Sequence, residues 1–423
     1  MAVPRRQRIL WAMNSAPSSS TVTFASEQAS KRRWLVLGLL LLITIINFID
    51  RQTVSVLAPL IRASLHLSNA QYGRIVAAFQ FGMMTGEFPM GWLMDRWGVR
   101  FGLLGAVLWW SAATGTQTLT KSGLQLGLTR FWMGTGECGN YSGGLKAIFG
   151  AFAPGERTLA IGIFNSGSMI GSTIAPPLIV FLAQRYSFRA AFLVPALLGV
   201  LWVPFWFLLY RDPPDRQRDP VDAVSLKQLL SQSSAWAVML CRFFIGPVMQ
   251  FYWYWIPSYL YGVRHLTLTQ IGIVGWLPFF LGDAGGVAGG WVAGWLHKRG
   301  VRTLNVRRIT MYSSSLLCFA SLAVPYVASV PAAFLLIGIA VMADNFLSAN
   351  MFGAVTDLFP EQTVGRATGL TGVAGGLSGL LFPLLTGIIV DHHSYAPVFL
   401  MVAFMPLIGT ILLFSVGRRY RTL

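Results

Sequence analysis

Four ionisable side chains lie in stretches that are otherwise almost wholly apolar: Asp50 and Arg51 in one, Arg130 and Glu137 in another. A charge near the middle of a bilayer costs at least about 2.5–3.5 kcal/mol, so each such residue needs a partner or a task. A carboxylate in a low-dielectric cavity binds a proton more readily than in water, and a neighbouring arginine opposes this. The arginine fork, in turn, holds a carboxylate through two parallel hydrogen bonds. An arginine that moves from a protein acid onto a substrate carboxylate therefore favours protonation of the acid it leaves. On this logic Asp50 and Glu137 are candidate proton carriers, and Arg51 and Arg130 are candidate substrate contacts. Arg51 adjoins Asp50 and is the expected substrate contact. Arg130 lies on the same helical face as Glu137, about 10 Å away along the axis, and is its expected partner. The alternative is a static set of ion bridges.

These residues must be held by elements that live in lipid. Of the 423 residues, 54% are hydrophobic and only 11% charged, against about 25% charged in soluble domains. Apolar runs of roughly 20 residues predict twelve membrane helices, near 34–60, 71–93, 101–119, 124–151, 158–184, 189–210, 234–260, 270–296, 307–326, 331–357, 366–390 and 396–416. The expected fold is an all-α integral membrane protein. It comprises a cytoplasmic tail (1–33), a six-helix bundle (34–210), a cytoplasmic linker (211–233), a second six-helix bundle (234–416) and a cytoplasmic C-terminus (417–423).

The formal charge of +17 would suit nucleic acid if it were spread over the surface. With the N-terminus inside, 22 of the 32 Lys and Arg fall on the inner side, six on the outer side and four within spans. That bias is the positive-inside rule. It predicts a multi-pass protein of the cell inner (plasma) membrane with both termini cytoplasmic and no nucleic-acid partner. Cys138, Cys241 and Cys318 lie in apolar runs without metal-like spacing, so neither a disulfide framework nor a metal site is expected. No cofactor is expected, and the chain is read as a monomer. Ile9–Met13 is too short to be a signal-peptide core.

An internal repeat links the two bundles. Gly91-Trp92-Leu93-Met94-Asp95-Arg96-Trp97-Gly98-Val99-Arg100 is echoed by Gly294-Trp295-Leu296-His297-Lys298-Arg299-Gly300-Val301-Arg302. At a constant offset of 207, Glu137 falls on Asp344, Gly162 on Gly369, Pro176 on Pro383 and Phe192 on Phe399. Parallel repeats of this kind are related by an axis along the membrane normal, and a solute path runs between them near the midplane. Asp95, Arg96 and Arg100 sit at a span end and are assigned to a cytoplasmic gate. Glu87, two turns earlier than Asp95, admits a structural or a coupling reading.

The hairpin Gly-x-x-x-Asp-Arg-x-Gly-x-Arg after the second span resembles the signature of the major facilitator superfamily. Finer motifs are similar to the anion:cation symporter family and its hexuronate-transporter branch: Ile46-Asn47-Phe48-Ile49-Asp50-Arg51; Arg130 with Gly136-Glu137-Cys138-Gly139-Asn140 and Lys146; Gly162-Ile163-Phe164-Asn165-Ser166-Gly167 with Ala175-Pro176-Pro177; Asp283 before Gly289-Gly290-Trp291; and Ala349-Asn350 with Asp357-Leu358-Phe359-Pro360. The resemblance implies two six-helix halves related by pseudo-two-fold symmetry, proton carriage on Asp50 and Glu137, and substrate or gating roles for the two arginines. Two departures bear on which acid is carried: Phe48 stands where relatives have Tyr, and Tyr141-Ser142-Gly143-Gly144 replaces an aromatic followed by Pro.

Neutral contacts to a polyhydroxy solute are assigned to Gln80, Asn165, Ser168 and Asn350, each of which could instead be a helix-packing hydrogen bond. Asp283 and Asp344 lie near mid-depth in the second bundle and admit either role. Lys146 and Arg242 lie near inner span ends, where snorkelling explains a cation.

The reading is therefore a secondary transporter importing an organic anion such as glucuronate or galacturonate with protons, Na⁺ remaining an alternative coupling ion. The competing reading is a proton-coupled antiporter exporting a drug or metabolite. Span five discriminates, because it carries Gly162, Gly171 and Ala175-Pro176-Pro177 without the closing Gly-Pro-x-x-Gly-Gly of antiporters. The glycine clusters at 282–290 and 369–379 lie inside apolar spans with no preceding strand, which argues against a phosphate loop and against an enzyme.

Overall fold

The computed structural model describes residues 19–212 and 226–416. The C-terminus 417–423, most of the tail and the middle of the linker lie outside them. Among the described residues the fold is helical, without a strand. In chain order the helices are α1 (Ser19–Val56), α2 (Ala58–Leu65), α3 (Asn69–Thr116), α4 (Gly123–Ala151), α5 (Pro154–Arg185), α6 (Ala190–Leu209), α7 (Leu226–Leu230), α8 (Ser233–Gly262), α9 (Leu268–Val274), α10 (Leu277–Lys298), α11 (Thr303–Leu317), α12 (Ala320–Ala323), α13 (Val330–Leu358), α14 (Glu361–His392) and α15 (Ala396–Val416).

Among the described residues, eight segments are long and apolar enough to cross a bilayer. The other four expected spans are α4, the two arms of α3, and α11 with α12, which are shorter or carry more polar residues. The arms of α3 meet at Gly98, whose φ of 77° breaks the helix. Gly300 repeats this in the second half with a φ of 79°. Glycine adopts this left-handed region without the Cβ clash that other residues suffer, so both echoed hairpins turn on it. Near Val56 the expected first span ends early, and α2 begins afresh with Pro59 in its first turn, where the missing N–H costs no intrahelical bond.

The halves are punctuated alike. Ser68 before α3 and Thr267 before α9 each form a capping box, with Gln71 and Gln270 respectively. Two residues before each cap stands a histidine with positive φ, His66 (52°) and His265 (55°). Ser122 and Ser329 cap α4 and α13, again at the offset of 207.

Inside each half, helices cross on glycine. A Cβ on Gly82 of α3 would strike the Phe131 carbonyl oxygen, and one on Gly134 of α4 that of Phe79. The second half uses Gly285 of α10 against the Met342 carbonyl of α13. Small residues let lipid-embedded backbones approach this closely.

Between the halves, hydrogen bonds cluster at the end carrying the turns near His66 and His393. Tyr72 Oη donates to the Tyr254 carbonyl at 2.8 Å, Ser55 Oγ to that of Trp253, and Gln184 Nε2 to Thr269 Oγ1 at 2.9 Å. Asp391 closes the same end. Its Oδ1 accepts from the Asn69 N–H (2.9 Å) and Nδ2 (2.8 Å), and its Oδ2 accepts from the Ala70 N–H (2.7 Å). A C-terminal-half carboxylate thus caps the N-terminus of α3. Toward the other end a Cβ on Gly376 would still lie 3.5–3.7 Å from the Met84 side chain, but Glu87, one turn further along α3, is exposed.

Candidate functional site

Asp50 and Arg51 are neighbours in α1, and neighbours in a helix diverge by about 100°. They face different helices. Arg51 reaches α4, where Glu137 Oε2 accepts from both Nε (3.1 Å) and Nη2 (2.9 Å). The Glu137 side chain is fully buried while that of Arg51 retains 15% exposure. The guanidinium lies 4.7 Å from the Phe48 ring centre and 5.3 Å from that of Phe79. Glu137 Oε1 has no hydrogen-bond partner, and neither does the nearby Asn47 Nδ2.

Asp50 is 1% exposed, and both its carboxylate oxygens lack a hydrogen-bond partner. The Trp110 indole N–H lies close to Asp50, although neither group makes a well-formed hydrogen bond. Arg130 is also buried. Its Nη2 donates weakly to the Arg51 carbonyl (3.4 Å), its Nη1 lies 3.2 Å from Met133 Sδ, and its charge sits 4.3 Å from the Phe79 ring centre. The structure therefore corrects the expected pairing: Glu137 is held by Arg51, not by Arg130. Seven residues of helix place Arg130 two turns away along its own axis, whereas Arg51 approaches Glu137 sideways from α1.

The second half contributes Tyr254, which lies within electrostatic reach of Arg51, Arg130 and Glu137. Nothing local in the sequence marks Tyr254 as a neighbour of these charges beyond its helical step of four from Gln250. Gln80 meets Gln250 over Gly379, whose absent Cβ would lie 2.8 and 3.0 Å from their amide nitrogens. This places one expected contact, Gln80, on the face between the halves. Asn165 is exposed and Ser168 half-buried on α5, where the Ser168 hydroxyl donates to the Asn165 carbonyl.

Asn350 is buried, and its amide is committed to packing: Oδ1 accepts from Arg307 (3.2 Å), and Nδ2 donates to the carbonyls of Gly289 (3.2 Å) and Phe346 (3.0 Å). Arg307 also binds Asp357 at 2.7 Å. Asn350 joins α10, α11 and α13 in this structure, away from the four charges.

At the hairpin, Lys146 Nζ binds Asp95 at 2.6 Å, so this lysine has a partner and does not simply snorkel. Arg96 lies 5.6 Å from the Trp92 ring centre. Arg100 donates to the Phe207 carbonyl at 2.6 Å, and Asp212 accepts from the N–H groups of Val99 and Arg100. Asp212 thus caps the second arm of α3, a role that its position in the linker had hidden. Asp283 is half-buried on α10, and Asp344 is buried on α13.

The comparisons agree with this architecture. The Major Facilitator Superfamily model matches residues 40–306 and 302–422. The hexuronate transporter of Escherichia coli (strain K12) is 28% identical over 404 residues, covering 91% of this chain and 94% of that protein. The hexuronate transporter of Bacillus subtilis (strain 168) is 28% identical over 381 residues, covering 86% and 89%. A probable galactarate/D-glucarate transporter of Escherichia coli (strain K12) is 25% identical, covering 91% and 95%. Among solved structures, a bacterial homologue of the human lysosomal transporter Spinster, inward-facing and occupied, superimposes with a TM-score of 0.75 at 19% identity, covering 92% and 96%. A nucleoside transporter does so with a TM-score of 0.74 at 11% identity, covering 90% and 99%. A family model spanning nearly the whole helical region, on a duplicated all-helical fold closed at one end, shows that this chain belongs to the Major Facilitator Superfamily and is a membrane transporter, not an enzyme.

Proposed function

We propose that this chain imports an organic anion, a hexuronate such as glucuronate or galacturonate, together with protons. One observation carries the reading: the Arg51 fork rests on Glu137 beside Asp50, a buried acid whose oxygens form no hydrogen bond, with Tyr254 of the second half within electrostatic reach of the pair. Arg51 retains some exposure, so an incoming carboxylate can compete for it. Transfer of the fork to that carboxylate leaves Glu137 buried without its counter-charge, and a proton neutralises it at far lower cost than a buried anion. Asp50 is the second acid available to the same cycle. The curated relatives, named as transporters of hexuronates and aldarates, support an acidic sugar as the solute. The excess of Lys and Arg at the hairpin end supports placing that end in the cytoplasm, with the protein in the inner membrane. Gln80, Asn165 and Ser168 are proposed hydroxyl contacts on the same path.

The test is uptake into proteoliposomes of a panel of sugar acids, under an inwardly directed H⁺ gradient, a Na⁺ gradient or neither. Accumulation of a hexuronate above its external concentration is expected only with the H⁺ gradient. Accumulation that ignores pH, or failure of every sugar acid to be transported, overturns the proposal.

A further inference from the structure

The repeat that pairs Glu137 with Asp344 also sets the first span of one half, α1, against the first span of the other, α8. Each of these spans carries an arginine: Arg51 on α1 and Arg242 on α8. The second half therefore also has an arginine on its first span and an acid on its fourth, although at this offset only the acids coincide, Arg51 falling on Ser258 and Arg242 on Leu35. Their state differs. Arg51 and Glu137 are joined at 2.9 Å. Arg242 and Asp344 interact electrostatically but form no ion pair within hydrogen-bonding distance. Asp344 is 1% exposed, and its Oδ1 has no hydrogen-bond partner.

Arg242, partly exposed, rests against two neighbouring helices. Its Nε lies 3.0 Å from where a Gly375 Cβ would stand on α14, and its charge is 5.5 Å from the Phe352 ring centre. Successive helical steps of four along α8 run from Arg242 through Gly246 and Gln250 to Tyr254. Gly246 meets Ser378, Gln250 meets Gly379 and Gln80, and Tyr254 faces the Arg51–Glu137 pair. Arg242 therefore stands at one end of the polar stripe that α8 turns toward α14 and the first half.

We propose that Asp344 is a second proton-carrying acid, which holds Arg242 when charged and releases it to a substrate anion when protonated. This rests on the proton-coupled reading above and extends it to the second half. The step is a proton transfer only: a hydronium ion from the solvent side gives its proton to an Asp344 carboxylate oxygen, one O–H bond breaking on the donor as one forms on the acid, and water is left. The titratable groups facing Asp344 are Arg242 and Tyr252 on α8 and Cys318 beyond the end of α11. Asp283 on α10 shares no such contact. Tyr252 is engaged with Ser321 at 2.6 Å, which leaves Arg242 as the partner whose contact can change.

The experiment is the steady accumulation of D-glucuronate in proteoliposomes at several imposed pH differences, with the membrane potential clamped at zero. Each coupled proton moved through one pH unit contributes a factor of about ten in accumulation. Asp344→Asn is expected to keep glucuronate counterflow at equal pH and to lose about tenfold in accumulation per pH unit. Unchanged accumulation in Asp344→Asn overturns this inference alone. Absence of any pH dependence in the wild type overturns the proposed function itself. Should Asp344→Asn lose counterflow as well, Asp344→Glu decides. A wild-type slope in that variant supports a proton-carrying carboxylate, and loss of slope or of activity overturns it.

Discussion

Each half places an arginine on its first span and an acid on its fourth, yet only the first half has closed the pair. On the N-terminal side, Arg51 gives Glu137 two hydrogen bonds, and Asp50 and Arg130 crowd the same region. On the C-terminal side, Arg242 and Asp344 stay apart, and the hydrogen bonding that replaces them is neutral or peripheral: Tyr252 to Ser321, and Asn350 to Gly289 and Arg307. The duplicated scaffold kept its turns, caps and glycine crossings. What diverged was the chemistry lining the interface. A rigid frame needs the same backbone contacts in both halves, whereas transport of an asymmetric solute does not need the same side chains.

The largest expected effect comes from breaking the closed pair. Glu137→Gln and Asp50→Asn, which mimic protonated acids, are expected to abolish pH-driven accumulation while retaining counterflow. Arg51→Gln is expected to weaken hexuronate binding at least about tenfold, since a hydrogen bond to a charged group contributes about 1.5–3 kcal/mol. Equilibrium binding and counterflow, measured in parallel, check both. Full accumulation by the two acid variants would show that the N-terminal charges are structural. If Arg130→Gln abolished binding and Arg51→Gln did not, the anion contact would lie on α4.

A middle-sized effect is expected where one half caps the other. Asp391→Asn keeps the shape of the contact to Asn69 and Ala70 but removes its charge. An acid at a helix N-terminus contributes about 0.3–1 kcal/mol, so the population closed at that end should fall about two- to fivefold relative to the open one. Distances between spin labels on α2 and near Ser394 would report it. An unaltered distance distribution would show that the apolar contacts around Tyr72 and Trp255 hold that end by themselves.

The smallest effect belongs to the hairpin, where Asp95 is 68% exposed. Asp95→Asn is expected to slow transport while leaving hexuronate affinity within about twofold, because exposed ion pairs contribute little. A tenfold loss of affinity with unchanged turnover would move Asp95 from the gate to the binding path.

Much of this was legible along the chain. Composition, span periodicity and charge bias pointed to a polytopic helical protein, because a bilayer demands long apolar helices whatever their arrangement. The echo at the hairpins and the offset of 207 exposed the duplication, since turns and caps depend on local residues such as Gly98, Gly300, Ser122 and Ser329. The four intramembrane charges were visible as exceptions to that apolarity. Tertiary structure alone decided their pairing. Arg51 and Glu137 are 86 residues apart and meet through the crossing of α1 with α4, which no local periodicity encodes. The same holds for Asp391, which reaches the first turn of α3 across 322 residues, and for Asn350, whose amide is spent on packing. Helices and their ends arise from short-range hydrogen bonding and solvent; which charged side chain faces which depends on how rigid helices rotate against one another.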